Sequence, residues 1–386
     1  MNAKPPKRPA RVRATVPRLR SVSALLIGAA ATTIAILATL YALLAPSVHH
    51  RASHHRLPSG AASTGPAGAS GTTGTRGTYA AGLPQYRLDA ASYFDSFGGD
   101  AVWLKAHVGS IKAYAPFGDR YVQYGLPVLS YRDPATEGFS PLTATSIERY
   151  VSNIKRDAGG GYAGPWVDDV NWSVGFRAGT QSRSLEPEKH KLADLIEAVR
   201  AAQPNATIEI NSQYHDIWRL MKAHDSDVER ALRSVDVITK EFGVGPAAGI
   251  ATPTEYAEFF NYVDALHAKG VHLDMGTDYH HPEPSEWEYN LATYFMFNDG
   301  HDYFGVAQTP LSWPSGFNVN LGHAISPRER SATGVWTRSF SSGAVFTIEP
   351  GAPAQRIMLP APMKNASGET VRSITLAASH GAVLRR

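Results

Sequence analysis

The sequence predicts an α/β protein: an eight-stranded parallel (β/α)8 barrel of the TIM type, followed by a small antiparallel β-module. Strand-like and helix-like segments alternate, with strands beginning near residues 125, 165, 207, 235, 271 and 302, and this alternation is typical of a parallel sheet. No glycine-rich phosphate loop follows the early strands, which disfavours an open nucleotide-binding sheet. About 300 residues follow residue 82, a length that suits a barrel with an appended module.

The chain begins with a pattern typical of a membrane anchor. Residues 1–20 contain seven Lys or Arg and no acid, and residues 21–45 contain no charged side chain. The apolar stretch can cross roughly 30 Å of hydrocarbon as a helix, and the basic tail should remain in the cytoplasm. We expect a single-pass anchor at 21–45 that places the rest of the chain outside the cytoplasm, in the periplasm or beyond. A cleaved signal peptide is the less favoured alternative, because Pro46 directly follows the best cleavage-like site.

Residues 46–82 consist mainly of Gly, Ser, Thr, Ala and Pro. Such a composition cannot bury a core, so we expect a flexible, disordered linker between the anchor and a barrel that spans 83–335.

Charge and cysteine content exclude several classes of function. Residues 1–88 hold eleven of the 37 Lys or Arg and none of the 34 Asp or Glu, so the remainder carries a net charge of −8. An acidic globular part disfavours nucleic acid as a partner. The chain has no cysteine, which excludes disulfides, a thiolate nucleophile and a zinc–thiolate site.

Segments in which apolar side chains recur at helical spacing lie between the predicted strands. A helix is expected to begin near Thr145, where Glu148 completes a capping box. A second helix should cover about 215–233, and another should begin near Ser285. The two strands still needed for a closed barrel are expected in 83–124 and 309–335, or are irregular.

The clearest helix covers 252–270. Thr252 and Glu255 form a capping box at its start, and Gly270 lies at its end. Its predicted buried stripe consists of Tyr256, Phe259, Phe260, Val263 and Leu266.

The last part of the chain, 336–386, changes character. Short β-like runs separated by Gly, Pro and Asn predict a small antiparallel module packed on the barrel. These runs are 343–350, 355–360, 370–377 and 381–386.

Polar side chains stand where four consecutive predicted strands end. In chain order they are Asp168 with Asp169, Asn211, Glu241 and Asp274. The carboxyl ends of the strands of a parallel barrel meet at one face, where active sites lie. One such residue would be explained as a helix cap, but four in succession predict a functional site.

Strand alternation separates the two adjacent aspartates. Trp166 and Asp168 share one face of the strand, and Asp169 lies on the other. We expect Asp168 to point into the site and Asp169 to support a neighbouring group or cap the loop.

Two carboxylates across a cleft are the minimum for glycoside hydrolysis. We assign Glu241 as general acid/base and Asp168 as nucleophile or stabiliser, with an exchange of the two roles left open. Aromatic side chains near the strand ends offer surfaces on which sugar rings can stack. The predicted substrate-binding residues are Asp169, Asn211, Asp274, Asp278, Trp166, Trp172, Tyr279 and His280.

Several segments resemble a known family. The runs GYAGPWVDDVNW, IEINS and KEFGV, with WTRSFSSGAVFTIEP, GETVRSITL and GAVL near the end, resemble the glycoside-hydrolase-like TIM barrels of bacteria that are distantly related to endo-α-1,4-polygalactosaminidases. The resemblance covers roughly 85–386. It implies that the aspartate after the apolar strand and the glutamate on a later strand, here Asp168 and Glu241, form the catalytic pair. It also fits a C-terminal β-module.

Two other functions remain open. A non-catalytic polysaccharide-binding or biosynthesis protein would use the same acids to hold sugar. A metal-dependent polysaccharide deacetylase would use the adjacent aspartates with His280 and His281, but Pro282 and Pro284 interrupt the helical spacing that such ligands need. A serine hydrolase is disfavoured because no G-x-S-x-G elbow occurs. We therefore expect a membrane-anchored glycosidase without cofactor or metal, acting on an extracellular or envelope polysaccharide.

Overall fold

The computed structural model describes residues 81–89, 101–114, 118–134, 137–139, 142–172, 185–276, 283–307 and 316–386. The predicted anchor and nearly all of the predicted linker lie outside these ranges. In the part of the chain that is described, no helix is both long enough and apolar enough to cross a bilayer.

Eight short parallel strands form a closed barrel. Each strand pairs with the next along the chain, and the last pairs with the first. The strands are β1 Tyr86–Asp89, β2 Ser110–Ala113, β3 Val128–Arg132, β4 Gly164–Val170, β5 Glu209–Ser212, β6 Val237–Lys240, β7 His272–Gly276 and β8 Tyr303–Ala307. The predicted parallel barrel is confirmed.

Helices separate these strands. They are α1 Ala101–His107, α2 Asp119–Gln123, α3 Ala144–Gly159, α4 Leu185–Ala202, α5 Tyr214–Lys222, α6 Ser226–Leu232, α7 Pro253–His267 and α8 Pro284–Phe297, with a 3-10 turn at Pro246–Ala248. The capping box of Thr252 and Glu255 is present at the start of α7, and all five residues of its predicted apolar stripe are buried. Burial of this stripe against the outer surface of the barrel is the main stabilisation of such a helix.

Local capping chemistry explains two departures from the predicted helices. The capping box of α3 is formed by Thr143 and Ser146, two residues before the predicted pair. The predicted helix over 215–233 is two helices. His224 adopts a left-handed conformation with φ of 53°, and the Asp225 side chain then accepts hydrogen bonds from the first turn of α6, so the chain ends one helix and starts another within three residues.

Both strands that the apolar pattern did not locate lie in 83–124, and none of the barrel strands lies in the described residues 316–335. The prediction for 309–335 is therefore wrong. β1 and β2 are only four residues long, and each carries a buried cation, Arg87 or Lys112, in place of the apolar side chain that marks a strand. Gly82, just before β1, exchanges two backbone hydrogen bonds with Leu321 and Gly322.

A six-stranded antiparallel sheet follows the barrel. Its strands are β9 Glu329–Arg330, β10 Val335–Phe340, β11 Gly343–Ile348, β12 Gln355–Lys364, β13 Thr370–Leu376 and β14 Gly381–Arg385, in the order β13-β12-β14-β11-β10-β9. The sheet packs on α8. Arg338 donates hydrogen bonds to the carbonyl oxygens of Phe295 and Asn298 at 2.8 and 2.9 Å, and the Phe295 ring lies 5.9 Å from Phe340.

Candidate functional site

Asp168 lies at a β-bulge near the carboxyl end of β4. Val167 pairs with Ile210 and Val170 with Ser212, so β4 carries one residue more than β5 between these pairs. The extra residue is Asp169, which is exposed and has a left-handed φ of 52°, a conformation that aspartate tolerates better than most residues. A bulge of this kind changes the direction in which the side chains at the end of the strand point.

Three donors hold the Asp168 carboxylate. Its Oδ2 accepts a hydrogen bond from the Tyr131 hydroxyl. Its Oδ1 accepts from Asn211 Nδ2 at 2.7 Å and from the Asp169 backbone N–H at 2.8 Å. Asp168 therefore faces side chains from β3 and β5 at the carboxyl end of the barrel, and its place in a functional site stays a prediction. Donors fixed in this way orient a carboxylate and complement its charge.

Tyr131, in β3, is held by its surroundings as a hydrogen-bond donor. Its ring centroid lies 3.9 Å from that of Tyr114 and 4.8 Å from that of Trp166. Burial and the neighbouring Asp168 raise the pKa of the Tyr131 hydroxyl. The phenol therefore keeps its proton over the whole physiological range and continues to donate to the carboxylate.

Glu241 directly follows β6 and borders a cavity. The cavity has a volume of about 320 Å³, and its wall includes Asn211, Gln213, His215, Glu241 and Phe242. Phe242 is 43% exposed. One amide side chain therefore links the two candidate acids indirectly: Asn211 donates to Asp168 and lies in the cavity wall that also contains Glu241.

The loop after β6 is anchored on both sides. Phe242 and Gly243 have positive φ values of 65° and 61°. The Gly243 backbone N–H donates to the Gly276 carbonyl at 2.6 Å, and the Val244 N–H donates to Asn290 Oδ1 at 2.7 Å. A side chain at residue 243 would collide with Asn290. The position of Glu241 thus depends on this glycine turn.

Lys240 is a buried cation in the same cavity wall. Its Nζ donates to the carbonyl oxygen of Gly243 and, at 3.3 Å, to that of Glu241. Burial lowers the pKa of Lys240 to about 7, because an ammonium group loses its hydration when it enters the protein interior. The sequence did not suggest a role for Lys240, because a lysine at a strand end has the same appearance in sequence whether its side chain is exposed or buried.

Charged side chains fill part of the barrel interior. Lys112 of β2 lies 2.7 Å from Asp274 of β7 and 3.1 Å from Glu209 of β5. Arg87 of β1 forms an ion pair with Glu209 and lies 3.6 Å from Asp274. Contacts between strands on different sides of a barrel must cross its interior, so all four side chains point inward and are buried.

This network corrects the prediction for Asp274. The residue is the third of five in β7 and not its last, and its side chain is fully buried among cations. It cannot contact a substrate there. Its acidic character is explained by charge balance, because a buried cation without a partner is very costly.

The two tryptophans predicted to stack on sugar are also buried. Trp166 and Trp172 are each 1% exposed. Trp166 donates from Nε1 to Thr239 at 2.7 Å and lies under the Lys112 ammonium, while Trp172 belongs to the apolar core outside the barrel. Neither ring offers a free face to a ligand.

Four predicted residues lie outside the described residues. They are Asp278, Tyr279, His280 and His281. The deacetylase alternative depends on the two histidines, and it therefore stays a prediction.

Sequence reasoning missed Tyr131, Gln213 and His215. Tyr131 could have been found by the rule that identified Asp168, because it lies near the carboxyl end of its strand. Gln213 directly follows β5, and His215 is the second residue of α5. Their spacing in the sequence does not show whether they line a cavity or only form the turn after the strand.

No family model and no curated protein matches the chain. Among solved structures, the chain is similar to the glycoside hydrolase domain of PelA from Pseudomonas aeruginosa, with 14% identity and a TM-score of 0.39 over 60% of this chain and 96% of that one. It is similar to xylanase XynB from Paenibacillus barcinonensis, with 14% identity and a TM-score of 0.38 over 58% and 83%. It is also similar to an alpha-amylase from Geobacillus thermoleovorans, with 9% identity and a TM-score of 0.43 over 78% and 98%. These neighbours are glycoside hydrolases, but the identities and TM-scores are too low to assign an activity to this chain. The fold itself is established by the strand order of the barrel.

Proposed function

We propose that the protein is a glycoside hydrolase in which Asp168 and Glu241 form the catalytic pair. One observation carries the proposal: Asp168, at the carboxyl end of the barrel, accepts a hydrogen bond from Asn211, and Asn211 lines the same cavity as Glu241. Two carboxyl groups at one cleft are the chemical requirement for cleavage of a glycosidic bond.

The surroundings of the two acids support the proposed division of roles. Asp168 accepts hydrogen bonds from a phenol, an amide and a backbone N–H, an arrangement that suits an ionised nucleophile or an anion that stabilises an oxocarbenium ion. Glu241 lies on a turn beside the exposed ring of Phe242, a position that suits proton transfer to and from a leaving oxygen. Phe242 lies in this wall and is partly exposed, and it is the aromatic side chain that we assign to stacking on a sugar.

Hydrolysis of a panel of exopolysaccharides by the purified full-length chain tests the proposal. We expect D168N and E241Q each to reduce turnover by about 10²-fold or more, while E369Q, a carboxylate-to-amide change in the C-terminal sheet region, leaves it unchanged. A chain that binds glycan but shows no hydrolysis in any variant would instead be a polysaccharide-binding protein.

Azide rescue tests which acid is the nucleophile. If Asp168 attacks the anomeric carbon, D168A should lose turnover and regain part of it in sodium azide, with a glycosyl azide as product. Azide should occupy the space left by the carboxylate. Rescue of E241A instead, with a glycosyl azide whose anomeric configuration is opposite to that of the substrate, would exchange the two assignments. A glycosyl azide of the same configuration as the substrate from E241A is the product expected of an acid/base variant.

We further propose that residues 21–45 anchor the protein, with the barrel outside the cytoplasm and an envelope or extracellular polysaccharide as substrate. The uncharged segment and its basic flank support this proposal. Membrane fractions should retain the full chain after alkaline carbonate extraction and lose a variant without 21–45. Protease added to intact cells should reach the barrel only if it lies outside.

A further inference from the structure

A second cluster of reactive side chains lies at the opposite, amino-terminal end of the barrel. His267 is the last residue of α7, and His272 is the first residue of β7. Asp299 and Asp302 belong to the turn between α8 and β8. One nitrogen or oxygen from each of the four lies within 4.8 Å of the others.

One carboxylate oxygen of this cluster lies near a ring nitrogen of each of two histidines. Asp299 Oδ2 lies 3.6 Å from His272 Nδ1 and 3.9 Å from His267 Nδ1. Both distances are too long for hydrogen bonds. They are close to the separation of about 3.4 Å between neighbouring ligand atoms around a tetrahedral ion with bonds of about 2.0–2.1 Å.

The fourth residue orients the others. Asp302 is fully buried, and its Oδ1 accepts a hydrogen bond from His267 Nε2 at 2.9 Å and from the Leu273 N–H at 2.8 Å. A histidine that donates one ring N–H to a carboxylate presents its other nitrogen as a lone pair, and this arrangement is typical of metal-bound histidines.

Backbone hydrogen bonds also fix Asp299, whose carboxylate is exposed. Asp299 Oδ1 accepts from the His301 N–H at 2.9 Å, while the Asp299 N–H donates to Asp302 Oδ2 at 3.1 Å. These bonds leave Asp299 Oδ2 directed at the two imidazoles. The ring centroid of His301 lies 5.1 Å from that of His272.

We propose that this cluster binds one divalent transition-metal ion of the zinc class. His267 Nδ1, His272 Nδ1 and Asp299 Oδ2 are the ligands, and Asp302 is a positioning residue that fixes the His267 ring. Nitrogen and carboxylate ligands suit Zn²⁺ and its neighbours better than Ca²⁺ or Mg²⁺, which prefer oxygen alone. The ion joins α7, β7 and the turn before β8 at the end of the barrel away from Asp168, where it stabilises the fold and does not take part in hydrolysis.

The test uses the full-length chain after removal of metal with EDTA and dialysis. Titration with Zn²⁺, followed by calorimetry, should show saturable binding of one equivalent. At a free Zn²⁺ concentration of 100 times the dissociation constant, the midpoint of thermal unfolding should rise by about 5 °C. With Co²⁺ in place of Zn²⁺, a visible absorption band should report nitrogen and oxygen ligation in the folded protein.

Variants distinguish Zn²⁺ binding at this cluster from Zn²⁺ binding by other histidines. H272Q removes a buried ligand, and D299N removes a partly exposed one with little risk to folding; each should weaken Zn²⁺ binding by about 10-fold or more and reduce the thermal shift. H190N alters an exposed histidine next to other acids and should change neither. A variant with alanine at His49, His50, His54 and His55 controls for the histidine pairs near the start of the chain. Loss of the thermal shift in that variant, or binding by D299N that equals the wild type, would overturn the proposal.

Discussion

Asn211 donates a hydrogen bond of 2.7 Å to Asp168 Oδ1 and also forms part of the cavity wall that contains Glu241. We expect N211A to lower kcat/KM on a hydrolysed glycan by about 10²-fold, because a fixed donor to a catalytic anion contributes on this scale. KM should change little. Steady-state kinetics on N211A check this, and a decrease of less than twofold would show that Asn211 has no part in orienting Asp168.

Tyr131 is the second donor to Asp168. Y131F retains the ring packing on Tyr114 and Trp166 and removes only the hydroxyl. We expect kcat to fall by about 10-fold or more, while the free energy of unfolding changes by about 1 kcal/mol. Y162F is the matched control, since the Tyr162 hydroxyl donates to Asp119 at 2.9 Å away from the site. Equal kinetic effects of the two variants would contradict the assigned role.

Asp274 is predicted to be structural. D274N leaves Lys112 and Arg87 with a single buried anion, Glu209, and should lower the free energy of unfolding by about 3–5 kcal/mol. D216N, which breaks a more exposed pair with Arg219 at 3.8 Å, should cost about 1 kcal/mol or less. Urea unfolding monitored by tryptophan fluorescence measures both. If D274N retained full stability and lost only activity, Asp274 would belong to the substrate site after all.

Lys240 should make stability depend on pH. Its pKa is about 7 in the folded protein and about 10.4 in the unfolded chain. Between these values the unfolded state binds the extra proton, so the free energy of unfolding should rise with pH by about 1.4 kcal/mol per unit. Below pH 7 both states are protonated, and the unfavourable contribution of burial is present in full.

K240M isolates this contribution. The difference in unfolding free energy between the wild type and K240M should change across pH 7 to 10 and stay constant below pH 6. Other titrating groups cancel in the difference, because both proteins contain them. A constant difference over the whole range would mean that Lys240 remains charged in the folded state.

Periodicity predicted the parts of the fold whose burial is one-sided and regular. The stripe of α7 and its capping box follow from spacing alone, and both are present. The four β-like runs at the end of the chain coincide with β11 to β14. Such patterns are local, because a helix face or a strand with its turns is encoded within about 15 residues.

Patterns failed where the interior of the barrel is charged. Arg87 and Lys112 interrupt the apolar signal of β1 and β2, and they are stable there only because Glu209 and Asp274 reach them from distant strands. The same effect misled the prediction for Asp274, since an acid in a strand has the same appearance in sequence whether it faces a substrate or a buried lysine.

The sequence by itself determined that the chain forms a parallel barrel with a β-module, and that Asp168, Asn211 and Glu241 lie at or directly after the carboxyl ends of neighbouring strands. Strand alternation also predicted the orientation of Asp168. Only the tertiary structure decided which polar side chains share a site. It brought Tyr131 to Asp168, placed Asp274 and Trp166 inside the barrel, and assembled His267, His272 and Asp299 at the other end. The physical reason is that these contacts join residues far apart in the chain, and their partners are set by barrel closure and charge balance, which no local spacing records.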